Sequence, residues 1–236
     1  MEGRTSAPGI EYVSIAPATP QHPRNDSASI VELADGSLFM TWIQMHAGPD
    51  GGNDEAPSSI ASMRSTDGGH SWGELRIEVS PGPGDLNVYN PSLIVLPDGD
   101  LLFFCLKYHH LVWNEPLQAS GLVRRSRDGG RTWTAPSALW DHLPRGSANH
   151  TFTLLSTGRL LKSVEHVPVW GAFPKCISSS SAYLSDDGRL VVADRGGDKT
   201  RPTWPTRHLR DWLLGWSPDG RQLGGINVWF PGGLVF

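Results

Sequence analysis

Ser65-Thr66-Asp67-Gly68-Gly69-His70-Ser71-Trp72 returns 61 residues later as Ser126-Arg127-Asp128-Gly129-Gly130-Arg131-Thr132-Trp133. These residue types suit a tight turn: Ser and Asp side chains hydrogen-bond nearby backbone, glycine admits positive φ, and the Trp offers an apolar ring to bury beside the turn. A second signal runs in phase with the first. Two apolar runs flank a short turn at Asp35-Gly36, again at Asp98-Gly99 and again at Thr157-Gly158. The turn glycines are 63 and then 59 residues apart. Each period therefore reads as two apolar inner strands around a hairpin, a third strand such as Ile60–Arg64, the eight-residue turn and a short outer strand such as Arg76–Val79. Radial repetition of such four-stranded units makes a β-propeller.

The phase also marks where the pattern stops. Ser185-Asp186-Asp187-Gly188 opens a third copy on schedule, but Arg189-Leu190-Val191-Val192 follow where Gly-x-Thr-Trp is expected. The chain thus divides into residues 1–24, an N-terminal extension or closing strand; 25–188, the blades; and 189–236, an irregular, degraded or frame-altered tail with one further hairpin signal at Ser217-Pro218-Asp219-Gly220-Arg221. Closed propellers have from about four to eight blades, and only about three to four are readable here. The expectation is the front half of a larger propeller.

Composition agrees with an all-β chain. The 236 residues are 38% hydrophobic, with 27 Gly and 19 Pro, a turn-rich makeup. A net charge of −4 without clustered Lys and Arg argues against a nucleic-acid partner. No run approaches the roughly 18 apolar residues of a membrane helix, so no membrane partner is expected, and Met1 to Pro20 lack the pattern of a secretory signal. Cys105 lies in an apolar strand and Cys176 follows a proline-containing stretch, which reads as two buried free thiols. The nine histidines show no ligand spacing, and His109 and His110 on a strand point to opposite faces. Neither a metal nor a cofactor is expected.

The paired Ser-x-Asp-x-Gly-x-Ser/Thr-Trp motifs, with hairpins such as Ser29–Gly36 in phase, resemble the Asp-box (bacterial neuraminidase repeat) propellers of the sialidase superfamily, in particular the exo-α-sialidase-like branch. The resemblance covers about residues 22 to 188. It implies a six-bladed propeller that cleaves terminal sialic acids with retention, often in secreted or periplasmic proteins. A Tyr assisted by a Glu is the nucleophile in that family, which departs from the usual pair of carboxylates. An Asp is the acid/base, and three arginines fork onto the sugar carboxylate. Counting back from Asp35, the first of these arginine positions holds Asp26, and Arg24 stands two residues away, on the same face of a strand. The acid/base loop corresponds to Gly51–Pro57, where Asp54 or Glu55 would serve.

Propeller geometry adds a group of binding candidates, because loops entering the first inner strand and leaving the second open at one end. The entering side supplies Asn25, Asp26, Asn90, Asn149 and His150, and the leaving side Gln44, His46, Lys107, Tyr108, His109, Glu165 and His166. Such side chains match sugar hydroxyls, and Tyr suits a sugar ring. The sequence therefore supports an exo-acting glycoside hydrolase with Asp54 or Glu55 as acid/base and Asp26 and Glu165 as further carboxylates. Its alternatives are a non-catalytic propeller that binds glycan or protein, and an inactive fragment.

Overall fold

The computed structural model describes residues 9–49, 51–148, 151–171, 177–185, 215–216 and 222–223, and every regular element among them is a β-strand. The first sheet runs β1 (Asn25–Glu32), β2 (Leu38–Met45), β3 (Ser58–Ser65) and β4 (Gly73–Val79), each antiparallel to the next. The second repeats this order with β5 (Asn87–Val95), β6 (Leu101–His110), β7 (Gln118–Ser126) and β8 (Ser137–Leu143). In the third, β9 (Arg145–Gly146) and β10 (Phe152–Leu154) both pair with β11 (Leu160–Val169), which pairs with β12 (Ile177–Ser185). Short strands β13 (Gly215–Trp216) and β14 (Gln222–Leu223) bracket the hairpin expected at residues 217–221. Cys176, Asp186–Gly188 and the rest of the tail lie outside the described residues.

Local chemistry sets the hairpins. Leu33, Leu96 and Leu155 each donate N–H to the residue four positions on and accept from the turn glycine at 2.9 Å. Gly36, Gly99 and Gly158 close these turns at φ of 79°, 86° and 81°, which a side chain would resist. The eight-residue turns repeat equally well. Ser65 Oγ accepts from Gly69 N at 2.9 Å, and Ser126 Oγ accepts from Gly130 N at 2.7 Å. Asp67 and Asp128 collect donors from Ser71 and Thr132, side chain and backbone, and from the leading Ser hydroxyl, which hold both carboxyls well below the usual range.

Face-to-face packing explains the long apolar runs. β2 and the first six residues of β6 are almost wholly buried on both faces, whereas β4 is exposed along most of its length. The first and second sheets meet over Phe39, Ile43, Met45, Ile60, Val88 and Phe103 in the main core. Ser29 Oγ accepts from Leu93 N at 2.9 Å, and Ser58 Oγ donates to Val88 O at 2.6 Å, so two buried hydroxyls tie the sheets together. The turn of the second sheet reaches back onto the first. Arg64 donates to Gly129 O and stacks over Phe39, and Trp133 packs on Phe39 and Phe103 while its Nε1 donates to Glu78 at 2.8 Å. Gly130 sits at φ 87°, and a Cβ there would stand 3.1 Å from the Phe39 ring.

Residues 9–24 contain no strand; Ile15 and Ala16 pack on Met40, Trp42 and Ala61, the face of the first sheet turned away from the second. Cys105 is buried and free, and burial pushes its thiol up to about 12.

Candidate functional site

The site lies at the sheet ends opposite the eight-residue turns, where β1 and β5 carry the same irregularity. Pairing slips between Asp26 and Ser29 in β1 and between Tyr89 and Ser92 in β5. Ser27 and Asn90 take the left-handed backbone there, at φ 55° and 52°. In the third sheet the corresponding step separates β9 from β10. The strands begin before these bulges, so Asn25, Asp26 and Asn90 stand on strands rather than in the entering loops the sequence suggests. Asn149 and His150 lie outside the described residues.

Four groups meet at the centre. Arg24 pairs with Asp26, and its Nη1 lies 2.8 Å from Asp54 Oδ1 and donates to Gly52 O at 3.0 Å. Tyr89 donates its hydroxyl to Asp54 Oδ1 at 3.3 Å. The loop carrying Asp54 is held from below, because Asn87 Nδ2 donates to the carbonyls of Asp54 at 2.7 Å and Ala56 at 3.3 Å. Burial lowers the Arg24 pKa, but the Asp54 and Asp26 carboxylates outweigh it and leave the group above its ordinary value. Burial, then the Asp54 charge, push the Tyr89 phenol well above the usual tyrosine range, so it remains a neutral donor. Asp26 Oδ1 is buried without a hydrogen-bond partner among the described residues. Glu55 is half-buried and joins none of these contacts.

Tyr108 extends the row. Its ring meets Tyr89 edge-on at 5.5 Å, and with Asn90, Ser147, Glu165 and Trp170 it lines a hollow of about 250 Å³ between the second and third sheets. Burial, with Glu165 and Asp54 nearby, raises its phenol as well. Asn90 Nδ2 donates to Ser147 O and so bridges the two sheets at the rim. Beneath Ser147 lies Lys162, fully buried, which donates to Ser147 Oγ at 2.7 Å and to Thr151 and stands 4.1 Å from the Phe104 ring centre. Among the described residues no carboxylate pairs with it. Burial brings its amine down from 10.5 to about 7.

Other candidates are turned elsewhere. Asn25 donates to Pro17 O at 3.3 Å and accepts from Trp42 at 3.0 Å, on the face covered by the N-terminal segment. Gln44 is buried within β2. His46 contacts Ser59 Oγ at 2.9 Å and the edge of His22, and burial, then His22, lower its pKa. Lys107 pairs with Asp85, and His109 lies between Asp85 and Ser120. His166 is exposed on β11 opposite Arg145. The sequence reading missed Tyr89, Ser147 and Trp170. The signal for Tyr89 was its place 63 residues after Asp26, the same step as the hairpin glycines.

No protein-family model matches the chain, and neither does any curated protein. Solved structures do. A Dyadobacter fermentans protein of unknown function matches with a TM-score of 0.60 at 21% identity, over 75% of this chain and 55% of that one. The Hadza microbial sialidase Hz136 matches at 0.55 and 18% identity, over 72% of this chain and 37% of that one. Trypanosoma rangeli sialidase in complex with sialic acid matches at 0.51 and 15% identity, over 70% and 29%. The leech intramolecular trans-sialidase complexed with 2,7-anhydro-Neu5Ac matches at 0.54 and 13% identity, over 76% and 44%. The fold is therefore a partial sialidase-like β-propeller, and the chain spans between 29% and 55% of the length of these structures.

Proposed function

We propose that the mouth formed by the three sheets is a carbohydrate site at which the protein recognises a terminal sugar of a glycan. The observation that supports this reading is the row Asp26, Arg24, Asp54, Tyr89, Tyr108 and Glu165, drawn from all three sheets and leading into the 250 Å³ hollow. Carboxylates and amides suit sugar hydroxyls, and the Tyr and Trp170 rings suit a sugar face. The described ligands of two of the sialidase-like structures, sialic acid and 2,7-anhydro-Neu5Ac, are of this class.

Hydrolysis with Asp54 as acid/base is the second reading, favoured by its loop position at the mouth. Two features weigh toward retention without turnover. Both neighbours of Asp54, Arg24 and Tyr89, donate to it, whereas an acid catalyst must itself donate. The Arg24 guanidinium is engaged by two carboxylates of its own chain, which leaves no open fork for a substrate carboxylate.

A glycan array and an aryl-glycoside assay on the purified protein test both readings. Retention of a glycan, weakened about tenfold or more in Glu165→Gln and Asp54→Asn with melting unchanged, is the expected outcome. Turnover abolished by Asp54→Asn would establish the hydrolytic reading instead. Absence of any retained glycan and of any turnover would sink both.

A further inference from the structure

The outer side of the second sheet gathers a group of side chains that the mouth does not use. His109 on β6 lies face to face with His142 on β8, with ring centres 3.8 Å apart and planes within 6°. His142 Nδ1 is 3.0 Å from Asp141 Oδ1, and Ser120 Oγ stands among the three, 2.7 Å from His109 Nε2 and hydrogen-bonded to Asp141. One ligand atom from each of His109, Asp141 and His142 lies within 4.8 Å of the other two. On its far side, His109 Nδ1 faces Asp85 Oδ1 at 3.1 Å, and Asp85 is fixed by Lys107 and by Gly82 N at 2.7 Å.

The first sheet supplies a control. There His46 and Ser59 make the same His–Ser contact, but the next group is Ser80, 3.4 Å from Ser59, and His22 fills the place of Asp85. The His–Ser pair is thus a repeated structural device, while Asp85, Asp141 and His142 have no counterpart in the first sheet.

We propose that His109, Asp141 and His142 form a site for a divalent transition metal of the zinc class. Two imidazoles and one carboxylate suit Zn²⁺, Co²⁺ or Ni²⁺, whereas Mg²⁺ and Ca²⁺ seek oxygen ligands. Asp85 supplies what a metal-binding histidine needs behind it, because a proton held on Nδ1 leaves the Nε2 lone pair on the side of Ser120 Oγ, which itself hydrogen-bonds Asp141. Lys107 neutralises Asp85, so the charge that meets the ion is that of Asp141. The Asp141 and His142 side chains are 70% and 59% exposed, which gives an entry path and room for the His142 ring to tilt from its stack and converge on an ion. Ser120, His109 and Asp85 also have the connectivity of a nucleophilic triad. Ser120 is only 3% exposed, however, and its hydroxyl is hydrogen-bonded to Asp141, so a nucleophile is disfavoured.

The test is titration of the chelator-treated full chain with Co²⁺, read by visible absorption, followed by displacement with Zn²⁺. One equivalent is expected to bind, insensitive to excess Mg²⁺. Asp141→Asn and His142→Ala, both at exposed positions, should each weaken binding about tenfold or more, and His46→Gln in the first sheet should leave it unchanged. Melting curves of the variants verify that each is folded. Failure of the wild-type chain to bind, or wild-type affinity retained in both exposed variants, would overturn the assignment.

Discussion

The first and second sheets share a framework and differ in what they carry at its two ends. Both have the glycine-closed hairpin, the slipped inner strand with one left-handed residue, the eight-residue turn and the His–Ser contact. At the slip, the first sheet presents Asp26 and the second presents Tyr89. At the turn, Trp72 donates to its own Gly69 O at 2.9 Å and packs toward Met40 and Trp42, while Trp133 crosses to Glu78 of the neighbouring sheet. Shared features are requirements of the fold, because each satisfies backbone or seats one sheet on the next. Chemistry is found where two equivalent positions diverge.

The largest expected effect breaks the comparison at the turns. Trp133→Ala removes a ring packed between Phe39 and Phe103 and leaves the buried Glu78 carboxylate short of a donor, at a cost of about 3–5 kcal/mol. Trp72→Ala should cost roughly half as much, since its indole partner lies within its own turn. Urea midpoints of the two variants provide the check. Equal losses would show that the crossing contact adds nothing.

Lys162 sharpens the contrast with the third sheet. Its equivalents in the first and second are Met40 and Phe103, which, like Lys162, stand four residues past the hairpin glycine. Lys162→Met is therefore expected to stabilise by about 1–3 kcal/mol at neutral pH, leaving Ser147 and Thr151 to hydrogen-bond each other. Between pH 10.5 and about 7 the unfolded chain takes up a proton that the folded chain refuses, so stability falls as pH falls through that window and levels off below it. The variant should lose that slope in melts followed from pH 7 to 10.5. A slope that persists would place its origin elsewhere.

The smallest effect separates the two His–Ser contacts. Ser120→Ala strips a shared partner from His109 and Asp141 and should cost about 1–2 kcal/mol, whereas Ser59→Ala, which faces another hydroxyl, should cost about half that. Thermal midpoints measured side by side distinguish them, and identical shifts would remove the distinction between the sheets.

The repeat was legible because its signals are local: a Ser, an Asp and two glycines within five residues define each turn wherever it occurs. The mouth was legible only in part. Asp54, Asp26 and Arg24, the positions singled out by the family resemblance, lie together, and Tyr108 at the end of its strand reaches them through Tyr89, but Asn25, Lys107 and His109 face other surfaces. The reason is register. A bulge changes which face the following residues occupy, and the slips in β1, β5 and at Tyr108/His110 in β6 leave no mark that a two-residue alternation reveals. Tyr89 stands just ahead of the apolar run Leu93-Ile94-Val95, next to Asn90, and the cluster of Asp85, His109, Asp141 and His142 is drawn from positions 85 to 142 with no ligand spacing to mark it.

The turn that reaches from the second sheet onto Phe39, Arg64 and Glu78 has a consequence for folding. An isolated blade would leave this side chain set half-assembled, so the boundary between repeats in sequence is not a boundary between cooperative units. Opening the first sheet strips the second of its support, so amide exchange in β2 and β7 is expected to be coupled, as between nearest neighbours in a one-dimensional array.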